Sequence, residues 1–112
     1  MKFIITAKGN SWESPVDERF GRAQYFFIFD EAQDTVEVVN NTDINSVEHG
    51  AGPKTAGAIA GLAADVLITG NGPGKNAASV LQKTGIKIYT GAGSMSVREA
   101  YTAFKSGSLG QL

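Results

Sequence analysis

The chain is 112 residues long and 42% apolar, with 14 glycines, no cysteine and a formal charge of −1. That length suits a single domain spanning residues 1–112 with a core of its own, and no stretch approaches the ~20 apolar residues of a membrane span. Without cysteine, disulfides, thiolate nucleophiles, cysteine zinc sites and cysteine-held iron–sulfur clusters are excluded. The apolar start is too short for a signal peptide, so a cytoplasmic domain is the expectation.

Lys2–Ala7 predicts a buried strand, since Phe3, Ile4 and Ile5 are contiguous and β-prone. A polar loop follows from Lys8 to Arg22, broken by Gly9, Pro15 and Gly21. Gln24–Asp30 is the strongest strand pattern in the chain, Glu31–Asp34 a turn, and Thr35–Asn40 the returning hairpin strand. Pro53–Ala64 then predicts a helix, with Pro53 at the first helical position and Ala56, Ile59, Ala60 and Ala63 on one side. Asp65–Thr69 reads as a strand, and Lys75–Thr84 as a helix with Ala77, Val80 and Leu81 inward and Gly85 as a left-handed cap. Ile86–Thr90 is the last strand in this reading. Ser96–Lys105, capped by Ser94 or Ser96, is a final helix burying Val97, Ala100, Tyr101 and Phe104, and the tail Ser106–Leu112 is expected to fray. Three antiparallel strands followed by right-handed crossovers favour an α/β fold. The expected sheet is mixed and five-stranded in the order 3-2-1-4-5, with strand 2 antiparallel and helices on both faces, a ribonuclease H-like three-layer arrangement.

Each predicted helix is introduced by a glycine-rich turn: Gly50-Ala-Gly52-Pro53-Lys54, Gly70-Asn71-Gly72-Pro73-Gly74-Lys75, and Gly91-Ala-Gly93-Ser94. In this topology the three turns and the Lys8–Arg22 loop share one sheet edge, where three helix N-termini with free N–H groups favour a compact anion. Charge is divided unevenly too: residues 1–48 hold nine acids against four bases, and residues 49–112 six bases against two acids. Lys54 and Lys75 begin their helices, where a cation opposes the helix dipole unless an anion compensates. In Arg19-Phe20-Gly21-Arg22 two arginines are suited to fork onto an oxyanion or soft anion; alternatively Phe20 is a core anchor and Asp17 and Glu18 simply pair with the arginines. His49, the single histidine, is either a loop side chain or a metal ligand or anion contact. Trp12 either covers a ligand or pins its loop.

Named motifs fit poorly. A Walker A loop needs glycine where Thr69 stands and a hydroxyl residue where Asn76 stands. Gly72-Pro-Gly74-Lys-Asn-Ala77 meets the loose dinucleotide pattern but lacks the downstream acid. The first strand has no carboxylate for two-metal nuclease chemistry, no nucleophile elbow is present, and six dispersed bases do not make a nucleic-acid surface. Open readings are therefore an anion-binding protein, a small-molecule or nucleotide-phosphate enzyme using the same edge, and a partner-docking module using Asn40–Glu48.

Four ordered segments carry a resemblance: Val16-Asp-Glu-Arg-Phe-Gly-Arg-Ala-Gln-Tyr-Phe, the late Phe-Asp, Glu48-His-Gly-Ala-Gly-Pro-Lys, and Asp65-Val-Leu-Ile-Thr-Gly-Asn-Gly-Pro-Gly. Over essentially its whole length the chain resembles the dinitrogenase iron–molybdenum cofactor-binding family, which includes NifX-type carriers, the C-terminal part of NifB-type proteins and small stand-alone members of the orange-protein type. The resemblance implies a ribonuclease H-like fold without nuclease activity. It also implies non-enzymatic binding, storage or delivery of a metal–sulfur cluster, containing molybdenum with iron or copper, or of its precursor, with cofactor-biosynthesis or recipient proteins as partners. Orange-protein-type members hold an anionic molybdenum–copper sulfide cluster non-covalently. Many members have His-Phe-Gly where this chain has Arg19-Phe20-Gly21, and arginine stays protonated and cannot coordinate a metal. A cluster is then expected to be held as an anion by N–H groups, Arg19, Arg22, Lys54 and Lys75, with His49 the one conventional ligand. Phe20, Gly21, Gly52, Gly70, Asn71, Gly72, Gly74 and Gly91 complete the predicted site.

Overall fold

A computed structural model describes residues 1–41, 57 and 59–112. Its strands are β1 (Lys2–Ala7), β2 (Tyr25–Asp30), β3 (Thr35–Asn40), β4 (Val66–Ile68), β5 (Lys87–Thr90) and β6 (Gly110–Gln111); its helices are α1 (Lys75–Lys83) and α2 (Val97–Lys105). They form one mixed sheet in the order β3-β2-β1-β4-β5-β6. β1 pairs antiparallel with β2, β2 antiparallel with β3, and β1, β4 and β5 run parallel. The expected five strands are thus six. The tail does not simply fray: Leu109 is buried at 9% exposure, and Gly110 and Gln111 add β6 antiparallel to β5. Two glycine-flanked residues carry no readable period. What orders them is the otherwise open edge of β5 and the apolar seat for Leu109.

Alternation along β1 sends Ile4 to one face and Phe3 and Ile5 to the other, and two cores follow. On one face Ile4, Phe26, Ile28 and Leu67 pack with Phe20, Ile59 and with Ala77 and Leu81 of α1. On the other, Phe3, Ile5, Phe27, Val66 and Ile68 pack with Val97 and Ala100 of α2. Each large side chain so buried contributes roughly 1.5–3 kcal/mol. Val80, expected inward, is instead 37% exposed, because α1 turns only its Ala77–Leu81 stripe to the sheet. Tyr101 and Phe104 are half-buried, capping the second core through edge-on contacts with Phe3. Residues 53–56 and 58 of the helix predicted over Pro53–Ala64 lie outside the described residues; Gly57, Ile59 and Ala60 are helical, and Ala63 closes that turn at a positive φ of 53°. No helix among the described residues is long and apolar enough to cross a membrane.

Candidate functional site

The three parallel strands β1, β4 and β5 bring their C-terminal ends to one edge. At or next to each of these ends stands a threonine followed by alanine or glycine: Thr6-Ala7, Thr69-Gly70 and Thr90-Gly91. Thr6 and Thr69 are fully buried and their hydroxyls lie 2.9 Å apart. From Ala7 the chain folds back on itself, with Ala7 bridging to Val16 and the Asp17 N–H donating to the Thr6 carbonyl at 2.9 Å. This return places Asp17–Arg22 over the strand ends. Phe20 enters the α1-side core as an anchor, Arg19 and Arg22 flank it on the groove wall, and Asp17 pairs with Arg19. Buried Asn41 braces the segment from the far side, its side-chain amide donating to the Ala23 carbonyl at 2.9 Å and to that of Gly21 at 3.3 Å.

The opposing wall is the turn after β4. A Cβ on Gly70 would sit 2.5 Å from Glu18 Cα and 3.0 Å from Gly93 Cα, so three backbone segments meet there at a distance only glycine permits. The Asn71 N–H donates to the Glu18 carbonyl at 2.8 Å, stitching the two walls together. The chain then passes through Gly72 and Pro73 to Gly74, the N-cap of α1, which has neither a side-chain cap nor an acid in its first turn. The first amides of such a helix lack intrahelical acceptors and carry partial positive charge. Between the walls is an open groove of about 310 Å³ lined by Arg19, Phe20, Gly21, Arg22, Gly72, Pro73 and Gly74.

Under this rim lies Asp17, a residue absent from the predicted site. Its carboxylate is fully buried and accepts four N–H groups: Arg19 N and Nε at 3.0 Å each, and Arg19 Nη2 and Gln24 N at 3.1 Å each. Burial pushes this carboxyl up, but hydrogen bonds from the Arg19 side chain and the Arg19 and Gln24 amides outweigh it, and the pKa lies below the ordinary value. Glu18 pairs with Lys8 at 3.0 Å. The signal for the hidden framework was the repeated threonine at the strand ends and the Asp-x-Arg spacing. Neither has an apolar periodicity that would draw attention to it.

Of the predicted site residues, Arg19, Phe20, Gly21, Arg22, Gly72 and Gly74 line the groove, and Lys75 follows as the exposed first residue of α1. Gly70, Asn71 and Gly91 are not among the lining residues. The Gly91 N–H is committed to the Gly70 carbonyl at 2.9 Å, and Gly91 holds a φ of 94° that explains its glycine. His49, Gly52 and Lys54, with the Asn40–Glu48 segment beyond Asn41, lie outside the described residues. The expectation of free amides at every helix start is corrected for α2. Ser96 and Glu99 cap each other's backbone N–H, and the Val97 and Arg98 amides donate to Ser14 and Trp12. Trp12 pins its loop instead of covering a ligand, edge-on to Phe27 at 4.8 Å and Phe29 at 5.0 Å. Among the described residues, no group of three His, Cys, Asp or Glu side chains could hold a metal ion.

Comparison with known proteins gives the groove a context. No curated protein matches the sequence significantly. The apo orange protein of Desulfovibrio gigas is 35% identical with a TM-score of 0.92, the match covering 99% of this chain and 92% of that one. A NifB-like protein from Thermotoga, solved by NMR, is 38% identical with a TM-score of 0.83 over the same shares of the two chains. The family model described as dinitrogenase iron-molybdenum cofactor matches residues 1–107, and the chain belongs to that family.

Proposed function

We propose that this protein binds and carries an anionic metal–sulfur cluster, or a molybdenum-containing cofactor precursor, without transforming it. The observation that supports this best is the groove between Arg19–Arg22 and the Gly72–Gly74 turn. Among the described residues its lining offers guanidinium groups, glycine backbone and the positive end of α1, but no nucleophile or general base. Weakly hydrated guanidinium and bare backbone suit a large, polarisable anion held by charge and N–H contacts rather than by ligand bonds. On this reading the frame is a ribonuclease H-like fold used as a holder in the cytoplasm. The cargo contains molybdenum with iron or copper and passes to a protein that builds or receives the cofactor. Lys54 and His49 would add a cation and one coordinate bond from the neighbouring segment.

Mixing the apo-protein with thiomolybdate and copper tests this. A visible charge-transfer absorption should co-elute with the protein, and the double variant Arg19→Ala, Lys75→Ala should lose most of it. Absence of co-eluting colour, or an unchanged double variant, overturns the assignment. A nucleotide that raises the melting temperature where thiomolybdate does not would favour a nucleotide-phosphate enzyme.

A further inference from the structure

Building on the reading of the groove as an anion site, we propose that Asp17 is its positioning residue, fixing the Arg19 guanidinium at the rim in the orientation that receives the ligand. Asp17 is fully buried, whereas the Arg19 side chain it grips is half exposed. The carboxylate takes the Nε and Nη2 donors of the fork, and no partner among the described residues takes the Nη1 side, which is left for a ligand. The same carboxylate accepts the Arg19 and Gln24 amides, so backbone and side chain of Arg19 are set by one group. The Asp17 carbonyl lies 2.8 Å from the Thr6 hydroxyl, which in turn lies 2.9 Å from Thr69, the residue that opens the opposite wall. The guanidinium is therefore placed relative to both sides of the groove before any ligand arrives.

By Coulomb's law a carboxylate beneath an anion site works against the anion. What Asp17 contributes must then be geometry: a long side chain already held in place does not lose its rotamer freedom on binding. Charge and geometry predict opposite signs for Asp17→Asn. The substitution removes a negative charge, which by charge alone tightens anion binding, but it breaks the fork, which by positioning loosens it.

The experiment titrates tetrathiomolybdate into the wild type, Asp17→Asn, Arg19→Lys and Asp17→Asn/Arg19→Ala, and records the arginine Nε–H region of the ¹⁵N spectrum. We expect wild-type binding, and binding about 10-fold or more weaker in Asp17→Asn despite its lost negative charge. The dispersed Arg19 Nε–H resonance should be lost while the β1 and β4 amides stay unmoved, a change that general loosening would not confine to one side chain. Arg19→Lys, which keeps the charge and loses the fork, should weaken binding similarly, and adding Arg19→Ala to Asp17→Asn should cost little more. Equal or tighter binding by Asp17→Asn overturns the role of Asp17 while leaving the groove assignment standing. No binding by the wild type overturns both. Should Asp17→Asn fail to fold, Arg19→Lys decides, and undiminished binding there is equally fatal.

Discussion

A methyl group added at Gly70 would press on the Glu18 backbone at 2.5 Å, whereas one added at Gly72 would meet only the Thr90 methyl and the Leu112 side chain at 3.4 Å or more. These two glycines stand two residues apart and have different reasons to be glycine. Gly70→Ala must push the Asp17–Arg22 segment away from the β4 turn, and overpacking of this kind costs about 1–3 kcal/mol. Urea denaturation should show that loss, while Gly72→Ala stays within about 0.5 kcal/mol of the wild type. Because Gly70→Ala parts the groove walls, it should also weaken thiomolybdate binding. Gly72→Ala turns its methyl toward Thr90 and Leu112, which do not line the groove, so thiomolybdate binding should stay close to wild type.

Among the elements, the two described helices present opposite N-termini. α2 is closed by its capping box and by the Ser14 and Trp12 carbonyls, while α1 starts at Gly74 with nothing in its own side chains to cap it. Ser96→Ala should therefore cost about 1 kcal/mol in urea denaturation, with ligand binding unchanged since α2 faces away from the groove. Ser96 was legible as one of two candidate caps beside Ser94, β1 and β2 from their contiguous apolar residues, and the stripe of α1 from Ala77 and Leu81. The walls of the groove were legible too, because arginine pairs and glycine-rich turns are local patterns. The pairing of Asp17 with an arginine two residues on was legible as well. What stayed hidden was long-range: Thr6 against Thr69 and Asn41 under Gly21–Ala23 are single polar residues whose partners are fixed only by the finished sheet. β6 escaped for a related reason, since a two-residue strand exists only because β5 offers it an edge.

Across the whole molecule, the far end of the sheet is tied by a different charged cluster. Glu31, in the turn between β2 and β3, accepts hydrogen bonds from Tyr101 and from Lys105, the latter at 2.7 Å, joining the N-terminal hairpin to α2. The Lys105 hydrogen bond and then that of Tyr101 hold the Glu31 carboxyl at about 2, below its ordinary 4.5; burial and then the bond to Glu31 push Tyr101 up to about 12. A carboxyl with a depressed folded-state pKa lends stability above its unfolded pKa, and that stability is lost as pH falls through the folded value. The urea midpoint should therefore decline between about pH 4.5 and 2, to which Asp17 adds in the same direction. Glu31→Gln should start lower at neutral pH and decline less over that window.

The central place of β1 also dictates when the groove can exist. One flank of β1 is closed by β2 almost as soon as both are made, but the other waits for β4, with Phe3 paired to Val66. A nascent chain halted before Gly70 holds the arginine segment with no opposing wall and an uncovered strand edge open to wrong partners. On the proposed function, loading is confined to the second half of synthesis or later, and a ribosome-bound fragment of the first 60 residues should neither take up thiomolybdate nor resist association with its own kind.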